Sequence, residues 1–271
     1  MHVDKTAEMR FAVSAPNVGD PNALVQLAVD AEAAGWDAFF LWDHLHLVRA
    51  MALDVDDPWV VLGAIAHATE RIKLGAMVTP VARRRPWKLA KELVTLDHLS
   101  GGRTIVGVGL GFPADDEFGA FGDTTDDRVR ADLLDEGLAI IDAVLRGEPV
   151  RHDGKHFHVD ADLRPGARQQ PRPPIWVAAM WPNKRPMARA ARYDGVDVIS
   201  ADGQPLPPSL VREVVDHIGR GDGFDIVAGY AYGHTVAEYE DAGATWLVDS
   251  RWPSDGWYDE LAAAVRSGPP Q

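Results

Sequence analysis

Short apolar runs alternate with longer amphipathic segments along most of the chain. Each apolar run has the length of a buried strand, and the segments between them repeat apolar residues at a spacing of three and four, as helices do. The first helical segment is typical: Asp20 is a suitable N-cap, Pro21 takes the first helical position and Gly35 marks the end. The predicted strands are FAVSAP, DAFFLW, IKLGAMVT, TIVGVGLG, IWVAAM, VDVISA, FDIVAGY and TWLVDS.

A predicted helix follows each of these strands, which is the order expected of parallel strands joined by helical crossovers. Eight such units in 271 residues predict an α/β fold, a closed (β/α)8 TIM barrel, as one domain over residues 1–271. A doubly wound open sheet is the alternative that the same pattern allows. In a barrel, the loops that follow the strands meet at one mouth, where barrel enzymes carry their active sites.

The alternation is interrupted between the fourth and fifth strands. Residues 148–174 form a longer segment that is rich in proline and charge. Two short alternating runs flank Asp153–Gly154, a dipeptide typical of hairpin turns. The sequence therefore predicts an insertion with a hairpin before the fifth strand, on the face of the barrel opposite the mouth.

Composition narrows the classes of partner. The chain has 27 Lys and Arg against 41 Asp and Glu, a formal net charge of −14, so nucleic acid is not an expected partner. It has no cysteine, which removes disulfides, thiolate metal sites and cysteine nucleophiles. The first ten residues lack the apolar core of a signal peptide, and no apolar run approaches the ~20 residues that span a bilayer. A cytoplasmic protein with no membrane association is the expectation.

The second predicted strand leads into WDHLH, where Asp43, His44 and His46 lie within four positions. Two histidines one residue apart at a strand end point the same way and can begin a metal site. The further ligands available at other predicted strand ends are Asp202, His234 and Asp249. No second metal motif accompanies them, so acid–base chemistry and simple ordering of the loop are equally open interpretations.

Two neighbouring strands end in small residues, in the stretches GAMVTP and GVGLG. Small residues beside the unbranched Met77 would let a flat ligand approach the backbone closely. The GxGxG spacing around Gly109 is not the GxGxxG dinucleotide fingerprint, but glycines inside a barrel can make room for a bulky planar ligand. Filling of the barrel by ordinary packing explains both stretches as well.

The turn after the fifth strand places cations at the start of a helix. Ala178 and Ala179 lie near the end of the strand, Asn183 is the predicted N-cap, and Lys184 and Arg185 fall in the first turn. Free N–H groups already make a helix start positive, so cations there are unfavourable unless an anion is bound. A bound phosphate explains the pattern, and so do two solvated cations. The three arginines at 83–85 are open to the same two interpretations.

Together these stretches resemble the luciferase-like monooxygenase superfamily, the flavin- and deazaflavin-dependent (β/α)8 barrels. The resemblance covers most of the chain and is most specific in RIKLGAMVTPVARRRPWKLAKELVTLDHLSGGRTIVGVGLG. It extends to WDHL, RADLLDEGLAIIDAVLRGEPVRHDGKHF and PRPPIWVAAMWPNKRPMARAARYDGVDVI. The resemblance implies that FMN or the deazaflavin coenzyme F-420 binds at the mouth of the barrel.

The resemblance also implies a place for each part of that cofactor. A non-proline cis peptide between Ala76 and Met77 would form a bulge behind the ring system, and Thr79 would contact the ring or the ribityl chain. Asp43 and His44 match the family's pair near the ring. The segment from Ala178 to Arg185 matches the family's phosphate-binding turn.

Two departures limit what the resemblance implies. The family's sugar-phosphate dehydrogenases carry a glutamate after the glycines of the fourth strand, where this chain has Phe112, and a tryptophan after Asp–His, where it has Leu47 and Val48. That specific activity is therefore not expected. The seventh and eighth units are compact where many members carry a long insertion, so a more open mouth and weaker cofactor retention are expected.

The resulting hypothesis is an oxidoreductase or monooxygenase that acts on a small organic substrate. It would use reduced FMN with oxygen, supplied by a partner reductase, or exchange hydride through coenzyme F-420, and relatives suggest a homodimer. His44 would exchange a proton, because imidazole titrates near neutrality, or hydrogen-bond the ring from the side, and Asp43 would orient His44 or bond the ring. The alternatives are a metal-dependent hydrolase led by His44 and His46, and a non-catalytic flavin-binding protein.

Overall fold

A parallel sheet curves round on itself in the computed structural model, which describes residues 9–219, 221, 223–231 and 233–270. In chain order the strands are β1 (Arg10–Ala15), β2 (Ala38–Leu41), β3 (Lys73–Ala76), β4 (Thr79–Pro80), β5 (Val106–Gly109), β6 (Val150–Asp153), β7 (His158–Ala161), β8 (Ile175–Trp181), β9 (Gly195–Ser200), β10 (Asp225–Gly229) and β11 (Trp246–Ser250). The sheet order is β3-β2-β1-β11-β10-β9-β8-β5-β4, and its strand pairs are parallel.

The strands β3 and β4 are two halves of one barrel position. β3 pairs with β2, and β4 pairs with β5. The barrel closes where β3 pairs with the residues just before β5. There Leu74 donates its N–H to the carbonyl of Arg103 at 3.1 Å and accepts the N–H of Ile105 at 2.9 Å. The nine strands of this sheet therefore occupy eight barrel positions. The predicted (β/α)8 barrel is confirmed, and the alternative of a doubly wound open sheet is not what the structure shows.

The break between β3 and β4 corrects two expectations. The stretch IKLGAMVT was expected as one uninterrupted strand, with a cis bond between Ala76 and Met77, but the cis bond joins Met77 and Val78. Register with β2 extends through Ala76, and the N–H of Met77 still donates to the carbonyl of Leu41 at 2.8 Å. Hydrogen bonding to β2 therefore continues to Met77, and the cis bond follows one peptide bond later than expected.

Helices cover the outside of the barrel at the positions that the sequence predicts, with the short α4 as an addition that it does not predict. They are α1 (Pro21–Ala34), α2 (Pro58–Ala68), α3 (Pro86–Leu99), α4 (Ala114–Glu117), α5 (Asp127–Arg146), α6 (Lys184–Ala190), α7 (Pro208–Ile218), α8 (Val236–Ala242) and α9 (Trp257–Ser267). Asp20 caps α1 by accepting the N–H of Asn22, and Gly35 ends it at φ 91°. Among the described residues, no helix is long and apolar enough to cross a membrane.

The segment before the fifth barrel strand contains an antiparallel hairpin. Its strands β6 and β7 pair from Val150 opposite Ala161 to Asp153 opposite His158. Glu136 of α5 fixes the turn, since its carboxylate accepts the backbone N–H groups of Lys155, His156 and Phe157. The hairpin is therefore docked on the long helix that precedes it.

Alternation along the strands separates two cores. One set of side chains packs between the sheet and the helices and forms the larger cluster. The other set fills the inside of the barrel and consists of Ala12, Ala38, Phe40, Ile105, Trp176, Val227, Trp246 and Val248, with Met77 against it. Along each strand, alternate residues thus face the helices and the barrel interior.

A polar cluster closes the amino-terminal end of the interior. Asp225 accepts hydrogen bonds from the indole N–H of Trp176 at 3.0 Å and of Trp246 at 3.1 Å, and it forms an ion pair with Arg10. The guanidinium of Arg10 also lies over the ring of Trp246, 4.4 Å from its centroid. This floor leaves the carboxyl-terminal mouth as the approach to the interior.

Candidate functional site

The end of β2 is fixed by a buried ion cluster around Asp43. This carboxylate is 3% exposed and accepts hydrogen bonds from Arg83 at 2.7 Å, from Arg84 at 2.8 Å and from the indole of Trp59 at 3.2 Å. A buried charge needs such partners to offset its lost hydration. With its oxygens engaged, Asp43 holds the loop that carries His44, which favours the orienting role over a bond to the cofactor ring.

Glu117 is the central residue of the site that the sequence analysis did not single out. It lies in α4, is 1% exposed and accepts the backbone N–H groups of Leu45 at 3.0 Å, His46 at 2.8 Å and Leu47 at 2.6 Å. Arg83 donates to the same carboxylate and bridges it to Asp43. Successive N–H groups that converge in this way form an anion-binding nest, here filled by the protein itself.

The environment of Glu117 keeps it ionised. Burial alone would raise its pKa, but hydrogen bonds from the side chain of His44 and from the N–H groups of His46 and Leu45 outweigh that effect and lower the pKa to about 2. The carboxylate is therefore negative throughout the ordinary pH range. The sequence does not indicate that Glu117 is buried, because it ends an acidic run with Asp115 and Asp116 that is typical of an exposed surface.

His44 lies at the mouth with its backbone clamped. Its carbonyl accepts the amide of Asn17 at 2.9 Å, and Asn17 is fully buried. The imidazole is 18% exposed, meets the ring of Trp42 edge-on at 5.8 Å, and has its Nδ1 3.5 Å from Glu117 in ion-pair range. The imidazole therefore lies beside a buried carboxylate and keeps one edge open to the mouth. This placement supports a role in proton exchange.

The metal interpretation of WDHLH gains no support. His46 turns away from His44 and packs against the ring of Phe121, with centroids 5.0 Å apart. Within the described ranges, no group of three or more His, Asp or Glu is arranged to hold a metal ion. The candidates Asp202 and Asp249 are engaged elsewhere, with Ser200 and Arg251 respectively.

The break between β3 and β4 lies directly against β5. A Cβ on Gly109 would stand 2.6 Å from Cγ2 of Val78, and one on Gly107 would stand 2.3 Å from the carbonyl oxygen of Ala76. Close packing of the two strands therefore accounts for these glycines, whatever ligand binds beside them. Thr79 is 1% exposed, and its hydroxyl is buried without a partner.

The turn after β8 holds the residues predicted to bind phosphate. Ala178 faces the barrel interior, whereas Ala179 packs in the outer core at 3% exposure. Asn183 precedes α6 but makes no side-chain cap. Lys184 is exposed, and the structure shows no partner for it among the described residues.

Arg185 has protein partners that the sequence analysis did not foresee. Its guanidinium lies 2.7 Å from Asp132 and 3.3 Å from Asp135, both on α5. These carboxylates explain a cation at the start of α6 without a bound anion. The arginine run is likewise accounted for in part, since Arg83 and Arg84 both bind Asp43 while Arg85 is exposed over Trp87.

Hydroxyl and indole groups join the strands at the mouth. Trp42 donates its indole N–H to the hydroxyl of Ser14 at 3.1 Å, and Ser250 donates to the carbonyl of Ser14 at 2.7 Å. Trp252 is half exposed and meets Trp42 at 5.9 Å. A cavity of about 490 Å³ lies elsewhere, on the outer side of β1 and β11 against α9. The site is therefore assigned from its chemistry and from its place in the barrel.

Comparison with known proteins identifies the family to which the chain is similar. The family model described as luciferase-like monooxygenase matches residues 8–243. Among curated relatives, a coenzyme F-420-dependent glucose-6-phosphate dehydrogenase of Beutenbergia cavernae is 34% identical over 69% of this chain and 55% of its own length. An uncharacterised protein of Mycobacterium tuberculosis is 31% identical over 73% of this chain and 75% of its own length. The chain spans about half the length of the dehydrogenase.

Solved structures share the fold at low sequence identity. The coenzyme F-420-dependent tetrahydromethanopterin reductase of Methanopyrus kandleri superposes with a TM-score of 0.78 at 19% identity, covering 97% of this chain and 99% of the other. A long-chain alkane monooxygenase superposes with a TM-score of 0.76 at 17% identity, covering 95% and 90%. At these identities the likeness shows the barrel alone.

Proposed function

Because the chain belongs to the luciferase-like monooxygenase family, we propose that it is an oxidoreductase that binds FMN or coenzyme F-420 at the barrel mouth and acts on a small organic substrate. One observation carries the proposal: β2 presents His44 beside Trp42, next to the break between Met77 and Val78. The N–H of Met77 joins this break to β2 at Leu41. An imidazole thus adjoins an apolar wall, which supports a site for a flat cofactor with a polar edge.

The residues at the mouth fit such a cofactor in chemistry. Met77 and Ala178 offer apolar surface on the interior side, and the partly exposed imidazole of His44 supplies a polar group beside it. When bound, the cofactor supplies hydride exchange or, as reduced FMN, the activation of oxygen.

The protein's own contribution is positioning and proton exchange. Glu117 and Asn17 hold the backbone at and after His44, so the loop that carries its imidazole is fixed in place. Imidazole exchanges protons near neutral pH, which suits a donor or acceptor beside a redox centre. Asp43 acts on the loop through Arg83 and is a positioning residue.

The phosphate end of the cofactor would lie at the turn before α6. Lys184 and the backbone of Asn183 are the groups that we assign to it, and both residues are exposed. Arg185 would contribute only by exchanging its carboxylate partners for phosphate, because Asp132 and Asp135 already bind it. Lys184 is the unengaged cation that the structure describes at this turn, which supports modest cofactor affinity, consistent with the compact last units of the barrel.

Oxidation of a sugar phosphate is not part of the proposal. The relatives named for that activity match about half of their length, and the position where such enzymes carry a glutamate is the exposed Phe112. Glu117 does not replace it, since its oxygens are occupied by backbone N–H groups and Arg83.

Parallel titration of the two cofactors tests the proposal directly. The purified chain is titrated with oxidised FMN and with coenzyme F-420, following quenching of cofactor fluorescence. Saturable binding of one of them at a 1:1 ratio is expected, and riboflavin should bind more weakly than FMN if phosphate is recognised. Absence of saturable binding for both cofactors would overturn the proposal.

Turnover and assembly complete the proposal. Catalysis of a redox reaction by the loaded protein separates an enzyme from a non-catalytic flavin-binding protein. A partner reductase is required only in the FMN version, where activity with oxygen should depend on added reductase and NADH. We also expect a homodimer, which light scattering on the eluting protein tests.

A further inference from the structure

Asp197 points into the barrel from the middle of β9. Its neighbours Val196 and Val198 are fully buried in the outer core between sheet and helices, so strand alternation turns Asp197 the other way. Its register agrees, because it lies opposite Ala178 of β8 and Val227 of β10, and Val227 belongs to the interior cluster. A carboxyl group therefore stands among the apolar side chains that fill the barrel.

Within the part of the chain that the structure describes, this carboxyl lacks a partner. Among the described residues, no hydrogen bond or ion pair reaches its side chain, whereas Asp225, one interior position nearer the floor, is bound by Arg10, Trp176 and Trp246. Asp197 is half-buried, between the fully buried Val196 and Val198. Burial raises its pKa to about 7. An unpaired carboxyl in such a place is unusual, because buried charges are ordinarily compensated.

The groups that face Asp197 do not compensate it. On the flanking strands, β8 presents Trp176, Ala178 and Met180 to the interior, and β10 presents Asp225 and Val227. From across the barrel, Arg10 and Lys73 share the interior face at the floor, and Arg10 is already engaged by Asp225. The unmet demand is thus for a positive charge or a hydrogen-bond partner delivered by a ligand.

We propose that Asp197 binds the protonated nitrogen of an amine-bearing substrate, which deepens the proposed function by naming its substrate class. The indole of Trp42, which follows β2 and is partly exposed, suits a cation, since an indole face attracts one. The chain's net charge of −14 favours the approach of cations and disfavours that of anions. An anionic substrate such as a sugar phosphate would meet an uncompensated carboxylate.

Matched probes of one shape test this assignment. Benzylamine, benzyl alcohol and benzoate are titrated into the full chain, with and without saturating cofactor, by calorimetry and by tryptophan fluorescence. We expect benzylamine to bind at least about tenfold more tightly than benzyl alcohol, as one ion pair of low exposure allows, and benzoate not to bind measurably. Benzylamine affinity should fall as the pH drops below about 7, because Asp197 with its raised pKa then becomes neutral.

Two variants separate the site from the surface. Asp197→Asn keeps the shape and removes the charge, so benzylamine should lose its advantage while benzyl alcohol binds unchanged. Asp202→Asn is the matched control, because this exposed carboxylate follows the same strand. It should leave all three affinities unchanged. Thermal unfolding of both variants shows that the fold persists.

The outcomes distinguish this inference from the proposed function. Equal binding of benzyl alcohol and benzylamine by the unmodified chain overturns it, and so does an Asp197→Asn variant that keeps the preference for the amine. If FMN or coenzyme F-420 binds while the amine preference is absent, the proposed function stands and the inference fails. If the amine preference is present while neither cofactor binds, the inference stands and the proposed function fails.

Discussion

The carboxylate of Glu117 accepts the backbone N–H of Leu47 at 2.6 Å, across a sequence separation of 70 residues. Leu47 lies at a φ of 60°, a conformation that non-glycine residues adopt at a cost. The same carboxylate binds the N–H groups of Leu45 and His46 and the guanidinium of Arg83. One side chain therefore holds the loop that presents His44 in its observed shape.

Replacing Glu117 by Gln should destabilise the protein and impair the site together. The amide removes the charge that Arg83 needs and directs a donor toward backbone N–H groups, so we expect a loss of ~3–5 kcal/mol in the free energy of unfolding. Chemical denaturation measures it. Asp115→Asn on the same short helix is the control, because Asp115 is exposed and its variant should stay within ~0.5 kcal/mol. Equal stability of the two variants would contradict the role assigned to Glu117.

The stabilising effect of Glu117 should disappear in acid. Its pKa is lowered to about 2 in the folded protein from 4.5, so its contribution is fully present above about pH 4.5 and is lost as the pH falls toward 2. A shift of this size corresponds to ~3 kcal/mol. Denaturation curves between pH 3 and 7 should show the stability gap between the native chain and Glu117→Gln narrowing below about pH 4.5. A gap that is independent of pH would show that ionisation of Glu117 is not its source.

The barrel was predictable because its signals are local. Helix starts such as Asp20 before Pro21 and the period of the apolar positions depend on neighbours in sequence, and the structure keeps them. The partners of charged residues depend on the tertiary fold. Glu117 gives no sign of burial within an acidic run, and Arg185 meets carboxylates about fifty residues away. In both cases the sequence shows the charge but not its counter-charge.

Two further features show where local signals were present but ambiguous. The alternation of Val196, Asp197 and Val198 places the acid on the face opposite the valines, and that signal is visible in the sequence. It shows which way Asp197 points but does not show that partners are absent. The cis bond in the third strand joins Met77 and Val78, one bond after the expected position, and pairing with β2 runs through Ala76; composition encodes neither detail.

Removing the imidazole of His44 should abolish turnover without preventing cofactor binding. Loss of a positioned proton donor or acceptor typically lowers rates by ~10²- to 10⁴-fold. Rates under saturating cofactor and the dissociation constant measured by fluorescence separate the two effects. His46→Ala is the matched control, because His46 packs on Phe121 two residues away and should retain near-native turnover. Unchanged turnover in His44→Ala would exclude a role in proton exchange.

Lys184 should contribute to phosphate binding more than Arg185 does. Lys184→Ala is expected to weaken FMN or coenzyme F-420 about tenfold, the value of one charge-assisted hydrogen bond, while leaving riboflavin affinity unchanged. Arg185→Ala should have a smaller effect on affinity, because Asp132 and Asp135 already hold that side chain. Arg192→Ala is the control, since Arg192 also binds Asp135 but lies beyond α6. Equal loss of riboflavin and FMN affinity in Lys184→Ala would count against a phosphate contact.

Substitution of Gly109 tests whether this position is a glycine because it packs against Val78 or because a ligand needs the space. A Cβ there would meet Cγ2 of Val78 at 2.6 Å and Cβ of Ala178 at 3.3 Å, so Gly109→Ala should cost ~1–3 kcal/mol of stability even without cofactor. Combining it with Val78→Ala removes the closer contact and should restore much of that loss. Melting temperatures of the single and double variants, with and without cofactor, measure the loss caused by the added Cβ and the recovery when the contact with Val78 is removed. If Gly109→Ala melts like the native chain without cofactor but loses cofactor affinity, the glycine serves the ligand. If the double variant recovers stability and binding together, packing of Val78 against β5 is its role.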